Sequence, residues 1–322
     1  MSETKNKSLR IVFMGTPEFA VESLRHLLGA QLNLVGVVTA PDRPAGRGRK
    51  IQESAVKKFA VANGIRVLQP LKLRDESFLE QLRELNANLQ VVVAFRMLPR
   101  AVWEMPEYGT FNLHASLLPQ YRGAAPINWA LMNGETETGV TTFFIDDKID
   151  TGHMILQTKA AITPGDNAGS LHDRLMSIGG RLVVETCTLI AQGDVETHPQ
   201  KQSDLLKPAP KINKETCRID WSKPMDQIQN HIRGLSPYPG AWSFLKKSAE
   251  AEMTQLKIFK SRFEIQNHSF TTGSIIHSKK TMKVAVQNGF IVLLEIQFPG
   301  KKRMNVKETL HGQKLGENAE MR

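Results

Sequence analysis

The stretch LQVVVAF, residues 89–95, carries three consecutive valines in a mostly apolar run. Strands that are buried on both faces have such runs, and they occur mainly in parallel sheets. Similar runs precede it at LRIVFMG (9–15) and LNLVGVVTA (32–40), with a shorter one, IRVL, at 65–68. These four segments are therefore predicted to be strands of one mostly parallel sheet.

The segments between these strands have helical periodicity. IQESAVKKFAVANG (51–64) is predicted to form a helix with Ile51 and Phe59 on one apolar face, and DESFLEQLRELN (75–86) is predicted to form another. Alternating strands and helices are typical of a Rossmann-like α/β domain. Ligands of such domains bind beyond the carboxyl ends of the strands.

The pattern changes after residue 206, so we predict one domain at 1–206 and a second at 207–322. The second contains one helical segment, MDQIQNHIRGL, followed by five short runs typical of strands. Five short strands predict a small OB-like β-barrel, a fold that often binds nucleic acid. The runs are AWSFL (241–245), LKIFKSRFEI (256–265), GSIIH (273–277), MKVAVQ (282–287) and FIVLLEIQ (290–297).

The formal net charge of +10 is unevenly distributed. Residues 1–206 hold 22 Lys and Arg against 22 Asp and Glu, whereas residues 207–322 hold 20 against 10. A basic domain joined to a neutral one favours a polyanionic partner, with nucleic acid ahead of membrane. The alternative is a solvated basic surface without a partner.

Several classes of protein are disfavoured. No apolar run approaches 18 residues, and the polar N-terminus MSETKNKSLR resembles neither a signal peptide nor a transit peptide. MGTPEF has one glycine where a dinucleotide fingerprint needs three. Cys187 and Cys217 have no metal-ligand spacing, so no metal is expected, and a reducing cytosol fits best.

FNLHAS, residues 111–116, brings polar groups to a strand end. Asn112 and His114 are two apart, so they share one face of the strand. A second strand, VTTFFI, leads into the acidic segment IDDKIDTG (145–152), and we expect it to end at the same edge of the sheet, bringing Asp150 to His114. Asp146 and Asp147 are expected to form the turn. The alternative for a lone histidine is a structural role.

An amide, an imidazole and a carboxylate suit direct acyl transfer to an amine. The Asn112 amide and protonated His114 would hydrogen-bond the tetrahedral oxyanion, and His114 would carry protons between the attacking and leaving nitrogens. Asp150 would orient the imidazole and stabilise its charge. Ser116 lacks the G-x-S-x-G pattern of a nucleophile, so a role in the turn or in ligand positioning is expected.

The segment FNLHASLLPQYRGAAPI resembles the signature of the folate-dependent formyltransferases, N-x-H-x-S-L-L-P followed by R-G-x-x-P-I. The resemblance covers nearly the whole chain, and IDTG supplies the family's aspartate. GLSPYPGAW and KKRM resemble the C-terminal domain of the members that act on methionyl-tRNA. The resemblance to this family implies that Asn112, His114 and Asp150 are catalytic. The formyl donor would be 10-formyltetrahydrofolate, and the acceptor the methionine α-amine on initiator tRNA.

The resemblance also implies two sets of binding residues, and we expect a monomer in the bacterial cytosol. PDRPAGRGRK (41–50) would contact the acceptor end of the tRNA, although a solvated loop is the alternative. The folate set is Phe95, Arg96, Met97, Leu98, Ser116, Leu117, Leu118 and Pro119. The tRNA set is Arg43, Arg47, Arg49, Lys50, Lys207, Lys211, Arg233, Lys301, Lys302 and Arg303.

Two positions depart from the family pattern. Arg96 replaces a glycine beside the expected pterin site, and His153 replaces an acid that often follows D-T-G. Two alternative functions stay open: a folate-dependent formyltransferase acting on an amino sugar or a ribonucleotide, and a nucleic-acid-binding protein with an inactive catalytic domain. The basic C-terminal domain disfavours the first, and the intact trio disfavours the second.

Overall fold

The computed structural model describes residues 8–45, 50–310 and 315–322. The chain forms two compact units. Unit 1 runs to Gly123 and also includes Glu137–Ala161 and His172–Pro208. Unit 2 comprises Ala124–Thr136, Ile162–Leu171 and Ala209–Arg322. The domain boundary after residue 206 stays a prediction.

Unit 1 is built on a seven-stranded sheet and a separate two-stranded ribbon. The strands are β1 (Ile11–Gly15), β2 (Leu34–Val38), β3 (Arg43–Ala45), β4 (Lys50–Gln52), β5 (Val67–Leu68), β6 (Leu89–Val93), β7 (Thr110–His114), β8 (Glu137–Phe144) and β9 (Met154–Ala161). The order in the large sheet is β5-β2-β1-β6-β7-β8-β9, and β3 pairs with β4. The first five strands of that order are parallel, which confirms the predicted mostly parallel sheet. β8 and β9 are antiparallel to their neighbours.

Helices cover the sheet because its central strands are apolar on both faces. On one face, Met14 of β1 and Val92 of β6 share a core cluster with Phe78. On the other, a Cβ on Gly179 would lie 2.7 Å from the side chain of Leu113. The helices of the chain are α1 (Glu18–Gly29), α2 (Ala55–Ala62), α3 (Glu76–Glu84), α4 (Arg100–Trp103), α5 (Pro126–Met132), α6 (Ala168–Gln192), α7 (Met225–Gly234) and α8 (Val306–Leu310).

The predicted helix at 51–64 is wrong at its start. The Ser54 side chain accepts a hydrogen bond from the Lys57 backbone N–H, so the helix begins at Ala55. Ile51 instead lies in β4, where it pairs with Pro44, and its side chain is 72% exposed. The cap overrides an apolar spacing that would otherwise extend the helix by one turn.

Unit 2 contains an antiparallel barrel, as predicted. Its strands are β10 (Ala241–Lys246), β11 (Met253–Ile265), β12 (Ile275–His277), β13 (Met282–Val286), β14 (Gly289–Gln297), β15 (Met304–Asn305) and β16 (Glu320–Met321). The order is β12-β13-β14-β11-β10-β16, with β15 on β14. A bridge between Ser274 and Glu320 brings the last strand back beside β12, so the sheet is nearly closed.

The barrel core is apolar and is shared with α7. Ile228 and Ile232 of α7 are buried in one cluster with Trp221, Trp242 and Ile291.

Within the described ranges, no helix is long and apolar enough to cross a membrane.

His231 on α7 has a buried Nε2 atom with no hydrogen-bond partner. Burial lowers the pKa of His231, and a hydrogen bond to the Cys217 backbone opposes that shift only in part. An unfolded histidine has a pKa of about 6.5, so below that pH the unfolded chain binds a proton that the folded chain resists. The free energy of unfolding therefore falls as the pH drops from about 6.5 towards the lower folded-state value.

We expect His231→Gln to reduce this acid sensitivity, which is at most about 1.4 kcal/mol per pH unit for one proton. The measurement is urea unfolding at pH 7.5 and at pH 5.5. His277→Gln, at an exposed position on β12, is the matched control and should keep the wild-type pH dependence. An unchanged pH dependence in His231→Gln would contradict the prediction.

Candidate active site

Strand β7 delivers Asn112 and His114 to one face of the sheet. In register, Met14 pairs with Val92 and Val92 pairs with Asn112, so these three side chains form a row across the sheet. The first two lie in the apolar core, and Asn112 adds an amide beside them, where it is half-buried. No other residue in the described part of the chain makes a hydrogen bond to the Asn112 side chain, so its amide can bind a ligand.

The His114 ring is held in one orientation. It is 7% exposed, and its Nε2 lies 2.8 Å from the backbone carbonyl oxygen of Tyr121. Because a carbonyl only accepts, Nε2 must carry the hydrogen and donate it. Nδ1 is therefore the nitrogen that can take up and release a proton. It lies 3.8 Å from Oδ2 of Asp150.

Asp150 lies in the loop between β8 and β9, which holds its carboxylate close to the imidazole. Its Oδ2 accepts a hydrogen bond from the Gly123 backbone N–H at 2.9 Å, and its side chain is 16% exposed. Its φ of 54° lies in the left-handed region, which Asp adopts more readily than most other non-glycine residues. Asp146 accepts from Thr151 Oγ1 at 2.8 Å and from the Lys148 N–H, so it stabilises the turn before Asp150.

We expected the strand before Asp150 to end at the same edge of the sheet as β7. This is wrong, although Asp150 does reach His114. β8 runs antiparallel to β7. Its carboxyl end, at Phe144, pairs with Phe111, which lies at the opposite end of β7 from His114. The segment 145–153 then turns back, because β9 pairs antiparallel with β8. A Cβ on Gly152 would lie 1.7 Å from the Phe144 carbonyl oxygen, so this turn requires glycine.

The turn after His114 is tightly hydrogen-bonded. Ser116 is fully buried, and its hydroxyl donates to the Gln120 carbonyl at 2.6 Å. Oγ1 of Thr141 donates to the Ser116 carbonyl at 2.7 Å and accepts from the Leu118 N–H at 3.1 Å. Leu118 is buried, whereas Leu117 and Pro119 are half-buried. The Ser116 hydroxyl is therefore committed to the turn.

The segment after β6 carries the other predicted folate residues. Phe95 is half-buried, Leu98 is buried and Met97 is 69% exposed. Arg96 donates to the Leu71 carbonyl at 2.9 Å and to the Pro70 carbonyl. The residue with positive φ here is Ala94, at 48°, so Arg96 does not occupy a glycine conformation. Burial, with a smaller contribution from Arg43, lowers the pKa of the Arg96 guanidinium.

The predicted tRNA contacts have different surroundings. Arg43, Lys207, Lys211, Lys301 and Lys302 are exposed. Two are engaged within unit 2: Arg233 donates to the Thr163 carbonyl at 3.0 Å, and Arg303 pairs with Glu295 and lies 4.6 Å from the Phe259 ring centroid. Arg47 and Arg49 lie outside the described residues, as does the side chain of Lys50.

Gln200 was missed by the sequence analysis. It is 7% exposed, and its Nε2 donates to the carbonyls of Asp150 at 3.0 Å and Gly152 at 2.8 Å. No local pattern marks it, because it lies 50 residues from Asp150 in a polar segment. His153 is exposed, and its carbonyl accepts from the Phe144 N–H.

Known proteins resemble this chain over nearly its full length. The formyl transferase model matches residues 9–187, and the formyl transferase C-terminal domain model matches residues 211–314. The chain is 58% identical to the methionyl-tRNA formyltransferase of Flavobacterium johnsoniae, over 98% of this chain and 99% of that protein. It is 54% identical to the methionyl-tRNA formyltransferase of Bacteroides fragilis, over 99% of each.

Solved structures share the fold at low identity. The crystal structure of WlaRD, a sugar 3N-formyl transferase in the presence of dTDP and 5-N-formyl-THF, has a TM-score of 0.63 at 21% identity, covering 92% of this chain and 99% of that one. HypX from Aquifex aeolicus in complex with tetrahydrofolic acid has a TM-score of 0.63 at 17% identity, covering 96% of this chain and 49% of that one.

Proposed function

The chain belongs to the methionyl-tRNA formyltransferases within the formyl transferase family, and from that membership we propose how its site performs the reaction. The protein transfers a formyl group from 10-formyltetrahydrofolate to the methionine amine of methionyl-tRNA. The observation that carries this function is 58% identity over 98% of the chain, which includes both units.

In the proposed mechanism, the methionine α-amine attacks the formyl carbon on N10 of the folate. A carbon–nitrogen bond forms and the carbonyl oxygen becomes an oxyanion, which the Asn112 amide stabilises by donating a hydrogen bond. One such donor is worth about 10²- to 10³-fold in rate. The half-buried Asn112 side chain, which has no protein partner in the described part of the chain, supports this role.

Nδ1 of His114 moves the proton in this scheme. It takes a proton from the attacking nitrogen and returns it to N10 as the bond between N10 and the formyl carbon breaks. Asp150 stabilises the imidazolium that exists between these steps. The Nε2 bond to Tyr121 supports this assignment, because it leaves Nδ1 available on the side of Asp150.

The folate is proposed to lie against residues 95–98 and 116–119. Val93 and Leu113 are register partners in parallel strands, so both segments leave the sheet at the same edge. Phe95, Met97 and Leu117 offer partly exposed apolar surface, which fits a planar ring. The buried residues of these segments would hold the backbone in place; they are Leu98, Ser116 and Leu118. The proposed folate-binding set also includes Arg96 and Pro119.

The acceptor is proposed to be the methionine-charged initiator tRNA. Residues 207–322 would hold it through exposed cations such as Lys211, Lys301 and Lys302, and residues 1–206 would carry out the chemistry, with Arg43 near the acceptor end. The excess of 20 basic over 10 acidic side chains in 207–322 supports this division. We also propose a monomer, and we propose the bacterial cytosol as its location because the named relatives are bacterial.

A comparison of three acceptors tests the function. The protein with 10-formyltetrahydrofolate should rapidly formylate methionine-charged initiator tRNA, and should act poorly on charged elongator tRNA and on an amino-sugar nucleotide. Equal rates with both tRNAs would remove the proposed initiator specificity. Formylation of the amino sugar alone would overturn the assignment of tRNA as acceptor.

His114→Ala should lower kcat by about 10²- to 10⁴-fold, because a positioned acid–base group contributes that much. Its affinity for tRNA should change little, since His114 acts at the reacting atoms. Single-turnover kinetics and filter binding measure the two effects. His153→Ala, at an exposed position near Asp150, is the matched control and should keep the wild-type kcat. Near-normal turnover in His114→Ala would remove His114 from the mechanism.

The affinity for tRNA should fall steeply with salt, because each phosphate contact releases counterions. Lys301→Ala with Lys302→Ala should reduce the slope of log K against log salt by roughly 1 to 2. Lys279→Ala with Lys280→Ala removes the same charge from another exposed part of unit 2 and should leave the slope unchanged. Equal effects of the two double variants would mean that net charge alone matters.

A further inference from the structure

Three consecutive residues make hydrogen bonds to the His114–Asp150 pair or to Gln200, which contacts the Asp150 backbone. They are Tyr121, Arg122 and Gly123. The Tyr121 carbonyl accepts from His114 Nε2, and the Gly123 N–H donates to the Asp150 carboxylate. Between them, Arg122 donates through Nε at 2.9 Å and through Nη2 at 2.7 Å to Oε1 of Gln200.

Gln200 continues this chain of hydrogen bonds to the backbone of Asp150. Its Nε2 donates to the carbonyl of Asp150 and to that of Gly152. The amide orientation is unambiguous, since the guanidinium only donates and the carbonyls only accept. All four hydrogen-bonding positions of this buried side chain are thus used.

These bonds form a closed ring. It passes from Arg122 to Gln200, from Gln200 to the Asp150 backbone, and from the Asp150 carboxylate to Gly123, which is covalently joined to Arg122. A two-way backbone bridge between Met154 and His198 anchors the segment that carries Gln200. The ring therefore holds Asp150 at both its backbone and its carboxylate.

The backbone of Asp150 benefits from such support. Its φ of 54° is uncommon for a residue with a Cβ, although Asp adopts it more often than most, and the hydrogen bonds to the Asp150 carbonyl help to hold the loop in this conformation. A relaxed loop would carry the carboxylate away from its 3.8 Å separation from His114 Nδ1. Misplacement by about 1 Å can cost about 10²-fold in rate.

We propose that Gln200 and Arg122 are a positioning pair that sets the Asp150 carboxylate against Nδ1 of His114. This inference rests on the proposed function, because it assigns the pair a role in formyl transfer. Neither residue touches the reacting atoms in this role. Both act through Asp150.

The test is a double-mutant cycle on kcat with Gln200→Ala, Asp150→Asn and the double variant. Gln200→Ala should lower kcat by about 10²-fold, with KM for folate and tRNA nearly unchanged. In the Asp150→Asn background, the same change should have little further effect, because residues that act through one group are not additive. Multiplied losses in the double variant, or wild-type kcat in Gln200→Ala, would overturn the proposal.

Two conservative variants guard against misfolding. Gln200→Glu keeps the size and the acceptor for Arg122 but turns a carboxylate oxygen towards two carbonyls, so it should lose kcat like Gln200→Ala. Arg122→Lys keeps the charge but loses the two-nitrogen contact, and a partial loss is expected. Gln81→Glu, at an exposed glutamine whose amide donates to the Ser77 carbonyl, is the matched control and should keep the wild-type kcat.

A readout without turnover separates this inference from the proposed function. In NMR spectra of the free protein, the His114 imidazole resonances should shift in Gln200→Ala in the same direction as in Asp150→Asn. The reason is that in both variants the ring loses the carboxylate that lies 3.8 Å from its Nδ1. Absence of formylation by the wild type would defeat the proposed function alone. His114 resonances at their wild-type positions in Gln200→Ala would defeat the positioning role alone.

Discussion

The hydrogen bond from His114 Nε2 to the Tyr121 carbonyl is the constraint on which the site depends. It fixes the orientation of the ring, so that Nδ1 faces Asp150, and it selects the tautomer in which Nε2 carries the hydrogen. Tyr121 reaches this position with a φ of 59°, so the backbone after the turn is bent sharply to present its carbonyl. The catalytic proposal follows from the direction of this one bond, because a flipped ring would point the free nitrogen away from the carboxylate.

The site combines unfavourable local conformations with dense hydrogen bonding. Ala94, Tyr121 and Asp150 are non-glycine residues with positive φ in unit 1. Against this cost stand many hydrogen bonds, each of which contributes about 1 kcal/mol net. The bonds of Thr141 and Gln157 to the turn at 116–118 are examples. A network of this kind keeps donors and acceptors in place before substrate binds, as electrostatic stabilisation of a transition state requires.

The sequence predicted those features that depend on local periodicity. The apolar runs located the strands, and the two-residue period put Asn112 and His114 on one face. Asp150 was predicted near His114 for a wrong reason, since β8 is antiparallel to β7 and the loop folds back instead of ending at the shared edge. Whether two neighbouring strands are parallel or antiparallel depends on how the chain connects them, which periodicity does not reveal. Ile51 was misplaced because a single cap at Ser54 outweighed the helical spacing.

Gln200 could not be predicted, because its function depends on partners that are distant in sequence. Arg122 lies 78 residues before it and Asp150 lies 50 residues before it. A glutamine in a polar segment has no pattern that separates it from solvated neighbours such as Gln202, which is exposed. Burial changes the chemistry of such a residue, since each of its hydrogen-bonding groups must then be satisfied by the protein. A substitution as small as Gln200→Glu would therefore oppose two carbonyls at once, although it changes only one atom of the side chain from nitrogen to oxygen.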